Sequence, residues 1–189
     1  MAKDEDCESI VELAAYLSEY YRYITKDAKS NKKLEEEVQH ARKYAKIQAM
    51  RFRHRLSVEF DEMPAEYRDI IVPRLILQPL LENAFEHGLR DVEKDGVIKV
   101  WYENKENKLY VHVQDNGGGM SEETQNELNE GFKQRSELIE NGLCNINRRL
   151  NIHFGEGYGV EIKTVKNQGT ICSLILPIND REGWKCTES

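Results

Sequence analysis

The first third of the chain contains two runs of residues at the spacing of an α-helix. Intervals of three and four residues are the pattern of a helix that packs one face against another helix. The runs comprise Ile10, Leu13, Leu17, Tyr20 and Ile24, and then Leu34, Val38, Ala41, Ala45, Gln48 and Phe52. Residues 27–33 predict a turn between two helices, with Asn31 as the N-cap of the second, and one continuous helix is the alternative. Two helices alone bury such faces poorly, so we expect a partner chain or a neighbouring domain against them.

After this helical third, alternating apolar and polar positions predict strands, with helical patterns between them. The predicted strands are 55–60, 96–104, 108–115 and a final hairpin over 158–178 that turns at Asn167–Gly169. The predicted helices are 74–89, 121–132 and 141–154. Hairpins mixed with helices, rather than strict β-α-β alternation, predict an α+β sandwich in which helices cover one face of the sheet.

Composition and charge narrow the classes of function. The chain has 189 residues and a formal net charge of −7 at pH 7. This acidic balance argues against sequence-independent nucleic-acid binding, which needs a basic face. There is no run of about 18 apolar residues that would predict a membrane span, and the polar start predicts no secretory signal. The four cysteines lack the spacing of a zinc site and predict reduced thiols.

Two short stretches carry candidate chemistry. LLENAFEHG, at 80–88, predicts a helix with one apolar face and one polar face, which is either a solvated surface or the floor of a pocket. The polar face carries Glu82, Asn83, Glu86 and His87. DNGGGM, at 115–120, directly follows a predicted strand. Its three glycines permit positive φ and close approach of another group, and a plain glycine-rich turn is the alternative.

The order of motifs along the chain resembles a known family. IVPRLILQPLLENAFEHG, VQDNGGGM, NGLCNINRRL and NQGTICSLILP are similar to the GHKL ATP-binding fold of histidine kinases, DNA gyrase and a heat-shock chaperone. They most resemble the LytS-type branch of sensor histidine kinases, as does the N-terminal stretch that ends in ARKYAKIQAMRFRHRL. The resemblance implies a two-layer sandwich with a mixed, mostly antiparallel sheet, preceded by a helical hairpin.

The resemblance also implies a site for Mg²⁺ and ATP. Asn83 would coordinate Mg²⁺ through its amide oxygen, since this cation takes oxygen ligands and keeps several waters. Asp115 would accept a hydrogen bond from the adenine amino group. Gly117 and Gly119 would let the backbone approach the base, and Thr170 would help to hold adenine, often through water.

The phosphates would lie between a loop and a helix terminus. Residues 120–142 would form a mobile lid, in which Lys133 and Arg135 either bind the γ-phosphate or stay solvated. Gly142 and Leu143 lie at a helix N-terminus, where free amides favour phosphate.

Five further residues bear on the predicted chemistry and nucleotide affinity. Glu82 would act in acid–base chemistry or tune the metal site without binding it. His87 would shape the pocket wall or cap the helix, and proton transfer is the alternative. Glu140 and Glu86 replace a glycine and a basic residue of the family pattern, and both changes bear on nucleotide affinity. Pro79 occupies the position at which ATP-hydrolysing relatives carry a glutamate that acts as a general base on water. Proline cannot act as a base, which favours a kinase over an ATPase.

The family's phosphoacceptor motif does not occur in this sequence. His40 and His54 lie in the stretch that resembles the connecting helix, so neither is predicted to accept phosphate. We therefore expect the C-terminal catalytic fragment of a longer membrane receptor, on its cytoplasmic side. It would transfer the γ-phosphoryl group of ATP to a histidine absent from this chain, for relay to a response regulator.

The predicted organisation is a helical dimerisation segment at 1–54, an ATP-binding domain at 55–180 and a flexible tail at 181–189. The helical segment would form a homodimer in the full-length protein. Two other hypotheses remain: a nucleotide-sensing scaffold that no longer catalyses, and an anti-sigma-type Ser/Thr kinase with the same fold.

Overall fold

The N-terminal region contains two separate helices. The computed structural model describes residues 14–23, 25, 31–52, 55–133 and 142–178. Helix α1 comprises residues 14–23, and α2 is Leu34–Arg51. Tyr20 and Tyr23 of α1 stack on the ring of His40 in α2, with ring centroids 5.1 and 4.1 Å from it. Because β1, Lys32–Lys33, lies between them, the two helices are not continuous. Ile10, Leu13, Ile24 and most of the predicted turn lie outside the described residues.

The start of α2 corrects the predicted N-cap. The N-cap residue is Lys33 rather than Asn31, because β1 keeps the chain extended up to that point by pairing with β3, Ile71–Val72. The first free amides of the helix are satisfied by distant carbonyls: Leu34 N–H donates to the Ile70 oxygen at 2.8 Å. Tertiary contacts therefore take the place of a local side-chain cap.

A five-stranded sheet forms one layer of the molecule. Its strands are β2 Leu56–Phe60, β4 Gly96–Lys105, β5 Lys108–Asp115, β6 Gly159–Val165 and β7 Gly169–Pro177. The spatial order is β2-β4-β5-β7-β6. Only the β2–β4 pair is parallel among these described strands, which confirms the mixed, mostly antiparallel sheet and both predicted hairpins.

Helices pack against the sheet, as the predicted sandwich requires. They are α3 Gln78–Asn83, α4 Glu122–Lys133 and α5 Gly142–Phe154. Helix α3 continues as a π-helical turn, Ala84–Gly88. It begins four residues later than predicted, because residues 74–77 form bends and Leu75 has a left-handed φ of 56°. Pro79 fits the first turn of α3, where no intrahelical N–H donor is needed.

One hydrophobic core joins the helical segment to the sandwich. Tyr44 of α2 meets the ring of Phe85 edge-on, with centroids 6.0 Å apart. Phe85 and Leu80 are fully buried, and so is Leu174 of β7. The predicted need of α2 for a neighbouring domain is thus met within the chain. Among the described residues, no helix is both long and apolar enough to cross a membrane.

Candidate functional site

The polar face of α3 forms part of a pocket. Asn83 and His87, one helical turn apart, both line a cavity of about 720 Å³. The Asn83 side chain is half-buried, and its Nδ2 lies 3.6 Å from the Cys172 sulfur on β7. This contact uses the amide nitrogen, which leaves the amide oxygen as an available ligand. The pocket-floor interpretation of LLENAFEHG therefore describes this structure better than the solvated surface.

Helix α4 supplies the opposite wall. Thr124, Glu127, Leu128 and Gly131 line the cavity, at the spacing of one helical face. Gly119, Met120 and Ser121 lead into this wall, and Cys144 of α5 completes it. A volume of this size suits a nucleotide-sized ligand, since small-molecule sites usually measure about 300–1,000 Å³.

Asp115 is the last residue of β5. It is 1% exposed, and its Oδ1 accepts the Gly117 N–H at 2.9 Å. Burial raises the pKa of the Asp115 carboxyl, and N–H groups of Gly117 and Thr170 oppose this shift. In the sheet Asp115 pairs with Thr170. Two of the predicted adenine contacts are therefore adjacent, although neither lines the cavity itself.

The glycines after Asp115 make close contacts with the protein's own backbone. A Cβ on Gly117 would lie 1.7 Å from the carbonyl oxygen of Gly88. Gly119 has a φ of 69°, and its Cβ would lie 2.3 Å from the Val165 oxygen. The segment is thus fixed between the end of α3 and the β6–β7 hairpin. It leads into α4 rather than forming the plain hairpin turn that was the alternative.

Cys172 of β7 lies beside Asn83 in the site, and the sequence-based prediction missed it. Its thiol contacts Asn83, and burial together with the Asp115 charge raises the pKa of Cys172 to about 12. A signal was available, because Thr170 and Cys172 are two residues apart on β7 and so share one face of the sheet. The Thr170 hydroxyl itself lies 3.0 Å from the Thr164 hydroxyl.

The start of α5 lies beside the start of α3. A Cβ on Gly142 would be 3.6 Å from the Pro79 side chain, while Leu143 is buried in the core. The N-terminal end of α5 therefore lies near the pocket, and its dipole favours an anion there. The Lys133 side chain, Arg135 and Glu140 lie outside the described residues.

The Glu82 side chain is connected to the two N-terminal helices. Its carboxylate accepts a hydrogen bond from Gln78 Nε2 at 2.7 Å. Gln78 also donates to the Tyr20 hydroxyl at 2.8 Å and lies 3.1 Å from His40 Nε2. Glu82 is thus tied to α1 and α2, whereas Glu86 is exposed. Neither glutamate is among the residues that line the cavity.

Comparison with known proteins identifies the family. The chain belongs to the histidine kinase-, DNA gyrase B- and HSP90-like ATPases, whose family model matches residues 68–180. A second model, described as histidine kinase, matches residues 1–56. The family and its fold are therefore those that the sequence predicted.

Relatives with curated names are sensor histidine kinases and sensor proteins. Sensor histidine kinase BtsS of Escherichia coli strain K12 is 28% identical over 175 residues, which cover 93% of this chain and 29% of that protein. Sensor histidine kinase YesM of Bacillus subtilis is 31% identical over 144 residues, or 76% of this chain and 23% of YesM. Sensor protein LytS of Bacillus anthracis is 29% identical over 173 residues, or 91% of this chain and 29% of LytS. The chain thus spans less than a third of the length of these relatives.

Solved structures support the same fold. Histidine kinase ThkA, in a complex with the response regulator protein TrrA, matches with a TM-score of 0.56 at 17% identity, over 94% of this chain and 50% of that chain. The histidine kinase domain of a blue-light activated kinase from Erythrobacter litoralis matches with a TM-score of 0.52 at 19% identity, over 94% of this chain and 83% of that chain. At these identities the matches bear on the fold alone.

Proposed function

We propose that this chain binds Mg²⁺-ATP and acts as the catalytic part of a sensor histidine kinase. The observation that carries the proposal is the Asn83 amide in the wall of a nucleotide-sized cavity, in contact with Cys172 of β7, two residues from Thr170, which is the sheet partner of the buried Asp115. A magnesium ligand and an adenine acceptor would both be held on fixed secondary structure.

The side chains present fit the groups that the family implies. Mg²⁺ takes hard oxygen ligands and commonly uses one or two protein ligands together with substrate phosphates. The Asn83 amide oxygen is such a ligand, because the nitrogen of the same amide is directed to Cys172. Asp115 is a buried acceptor, and in such a low-dielectric environment a hydrogen bond from an exocyclic amine gains strength.

Each residue then has a defined task. Asn83 would hold the metal, Asp115 would orient the purine, and the N-terminal amides of α5 at Gly142 and Leu143 would bind phosphate. Bound Mg²⁺-ATP supplies the phosphoryl group, and its metal neutralises charge that develops on the phosphates. Helix α4 and His87 would exclude water from the reacting group, which a kinase requires.

We place the phosphoacceptor histidine outside this chain. His40 is 3% exposed, and its Nε2 is already engaged by Gln78, so it is a poor nucleophile in this arrangement. His54 lies outside the described residues. A histidine in an upstream helix of a membrane-anchored homodimer would receive the phosphoryl group on the cytoplasmic side and relay it to a response regulator. We propose that Glu82 tunes the metal site without binding the metal, since its carboxylate is bonded to Gln78.

Nucleotide titration tests the proposal. Calorimetry with a non-hydrolysable ATP analogue and Mg²⁺ should show binding by the wild-type chain. Asp115→Asn should weaken it at least about tenfold, since a carboxylate acceptor is replaced by a group that also presents donors. An upstream-extended chain should then form an acid-labile phosphohistidine. Absence of heat and of any thermal shift at millimolar nucleotide would instead favour the non-catalytic scaffold, and an acid-stable phosphoserine product would favour the Ser/Thr kinase.

A further inference from the structure

A buried glutamate of the helical segment binds the backbone just before α3, the helix that carries Asn83. Glu37 of α2 is 1% exposed. Its Oε1 accepts the Leu75 N–H at 2.9 Å, and its Oε2 accepts the Ile76 N–H at 2.9 Å. The Tyr23 hydroxyl of α1 also donates to Oε1. Charge-assisted bonds of this kind are about twice as strong as neutral ones, so the carboxylate holds the backbone of residues 75 and 76 in place.

The gripped segment is strained and held from a second side. Leu75 has a left-handed φ of 56°, which a leucine adopts only when its surroundings enforce it. On the other side, Arg149 of α5 donates to the Arg74 carbonyl oxygen at 2.6 Å. The turn at residues 74–77 is therefore clamped between α2 and α5.

This turn sets the start of α3. The α-helical part of α3 is only six residues long, too short to be stable by itself. Its position depends on what holds its first turn, and Asn83 is its last α-helical residue. Gln78, the first residue of α3, adds a second tie to Tyr20 and His40.

We infer that Glu37 is a positioning residue for the nucleotide site, acting through the 74–77 turn on α3 and thereby on the Asn83 amide. The inference rests on the proposed function, since it assigns Asn83 to the metal. The α1–α2 segment would then affect metal binding without contacting the metal or the nucleotide. Movement of α2 relative to the sandwich would then change the affinity for Mg²⁺-nucleotide.

The decisive measurement separates metal-dependent from metal-independent binding. In Glu37→Gln, one carboxylate oxygen becomes an NH₂ group that faces a backbone donor. The ratio of nucleotide affinity with Mg²⁺ to affinity in EDTA should fall about tenfold, the scale expected for losing hydrogen bonds to a buried charge. Binding in EDTA should change less than about twofold, because Asp115 lies on the sheet rather than on α3. A general loss of stability would lower both affinities together.

Two variants make the result specific. Glu35→Gln removes the same charge two residues earlier on α2, where the carboxylate meets only Arg68 at 3.8 Å among the ion pairs described, and it should leave the ratio unchanged. Glu37→Asp keeps the charge but is one methylene too short to bind both amides. It should lower the ratio as Glu37→Gln does, and it serves if the glutamine variant does not fold.

Hydrogen exchange gives an independent readout. The Leu75 and Ile76 amides should lose protection in Glu37→Asp and keep it in Glu35→Gln. If these amides lose protection while the Mg²⁺ ratio stays at the wild-type value, the inference is overturned and the proposed function stands. A wild-type chain that binds no nucleotide overturns the proposed function and this inference with it.

Discussion

Gly117 and Gly88 are in direct backbone contact: a Cβ on Gly117 would lie 1.7 Å from the Gly88 carbonyl oxygen. The contact presses the segment after Asp115 against the end of the helix that carries Asn83. Gly117→Ala must move one of the two backbones, so we expect it to lower the free energy of unfolding by about 1–3 kcal/mol, the usual cost of overpacking. Urea denaturation at constant m-value measures this loss.

The neighbouring glycine is the matched control. A Cβ on Gly118 would have no atom within 4 Å, so Gly118→Ala should change the free energy of unfolding by less than about 0.5 kcal/mol. Equal losses in the two variants would show that backbone freedom, and not the contact with Gly88, is what Gly117 provides.

Stability should fall as the pH is lowered through the range of histidine titration. Burial lowers the pKa of His112, partly opposed by Glu103, whose Oε2 lies 3.2 Å from Nε2. The folded pKa thus lies below the unfolded value of about 6.5. Below pH 6.5 the unfolded state binds more protons, so stability present above that pH is lost as pH falls through the folded pKa. His40 shifts in the same direction, again through burial.

The check is the slope of unfolding free energy against pH between 7 and 5. His112→Gln should be less stable than wild type at pH 7.5, where it loses the 2.7 Å contact of Nδ1 with the Ser173 hydroxyl. It should nevertheless show a shallower decline toward pH 5, because one of the two titrating groups is gone. A variant with the full wild-type slope would assign the decline to other groups.

Local sequence predicted the elements that depend on local chemistry. The turn predicted at Asn167–Gly169 lies between Val165 and Gly169 as observed, since alternation and turn residues are both short-range signals. The same approach failed at Asn31 and at Leu75. The first lost its capping role to strand pairing with Ile71–Val72, and the second is held in a left-handed conformation by Glu37, 38 residues away. Contacts between distant segments are what the sequence pattern does not contain.

In the site too, local spacing was predictable from the sequence, whereas contacts between distant segments were not. Asn83 and His87 could be placed on one helix face from their spacing, and the cavity contains both. The contact of Asn83 with Cys172 joins residues 89 positions apart, and nothing in either motif specifies it. Three consecutive glycines predicted close approach of another group, yet only the fold shows that Gly117 lies against Gly88 and Gly119 against Val165.

The hairpin between β4 and β5 places a glutamate in an unfavourable backbone conformation, and a substitution there should increase stability. Glu106 and Asn107 both have left-handed φ, at 52° and 61°, which is the two-residue turn that matches strand twist. Glutamate is unfavourable there, whereas asparagine adopts this conformation readily. Glu106→Asn should raise the free energy of unfolding by about 0.5–1 kcal/mol. Glu59→Asn, at an exposed position of the extended strand β2, should instead be neutral or slightly destabilising.

Substitution of Asn83 should separate its role in metal binding from its role in the fold. The one hydrogen bond described for its side chain is a long N–H···S contact of 3.6 Å, so Asn83→Ala should cost less than about 1 kcal/mol of stability. The same variant should abolish the enhancement of nucleotide affinity by Mg²⁺, because the amide oxygen is lost. Asn83→Asp keeps an oxygen at that position and should retain part of the enhancement, offset by repulsion between its charge and the phosphates. Calorimetry with and without Mg²⁺ ranks the three chains. If the alanine variant kept the wild-type Mg²⁺ dependence, Asn83 would not be the metal ligand, and the proposed metal site on the polar face of α3 would be wrong.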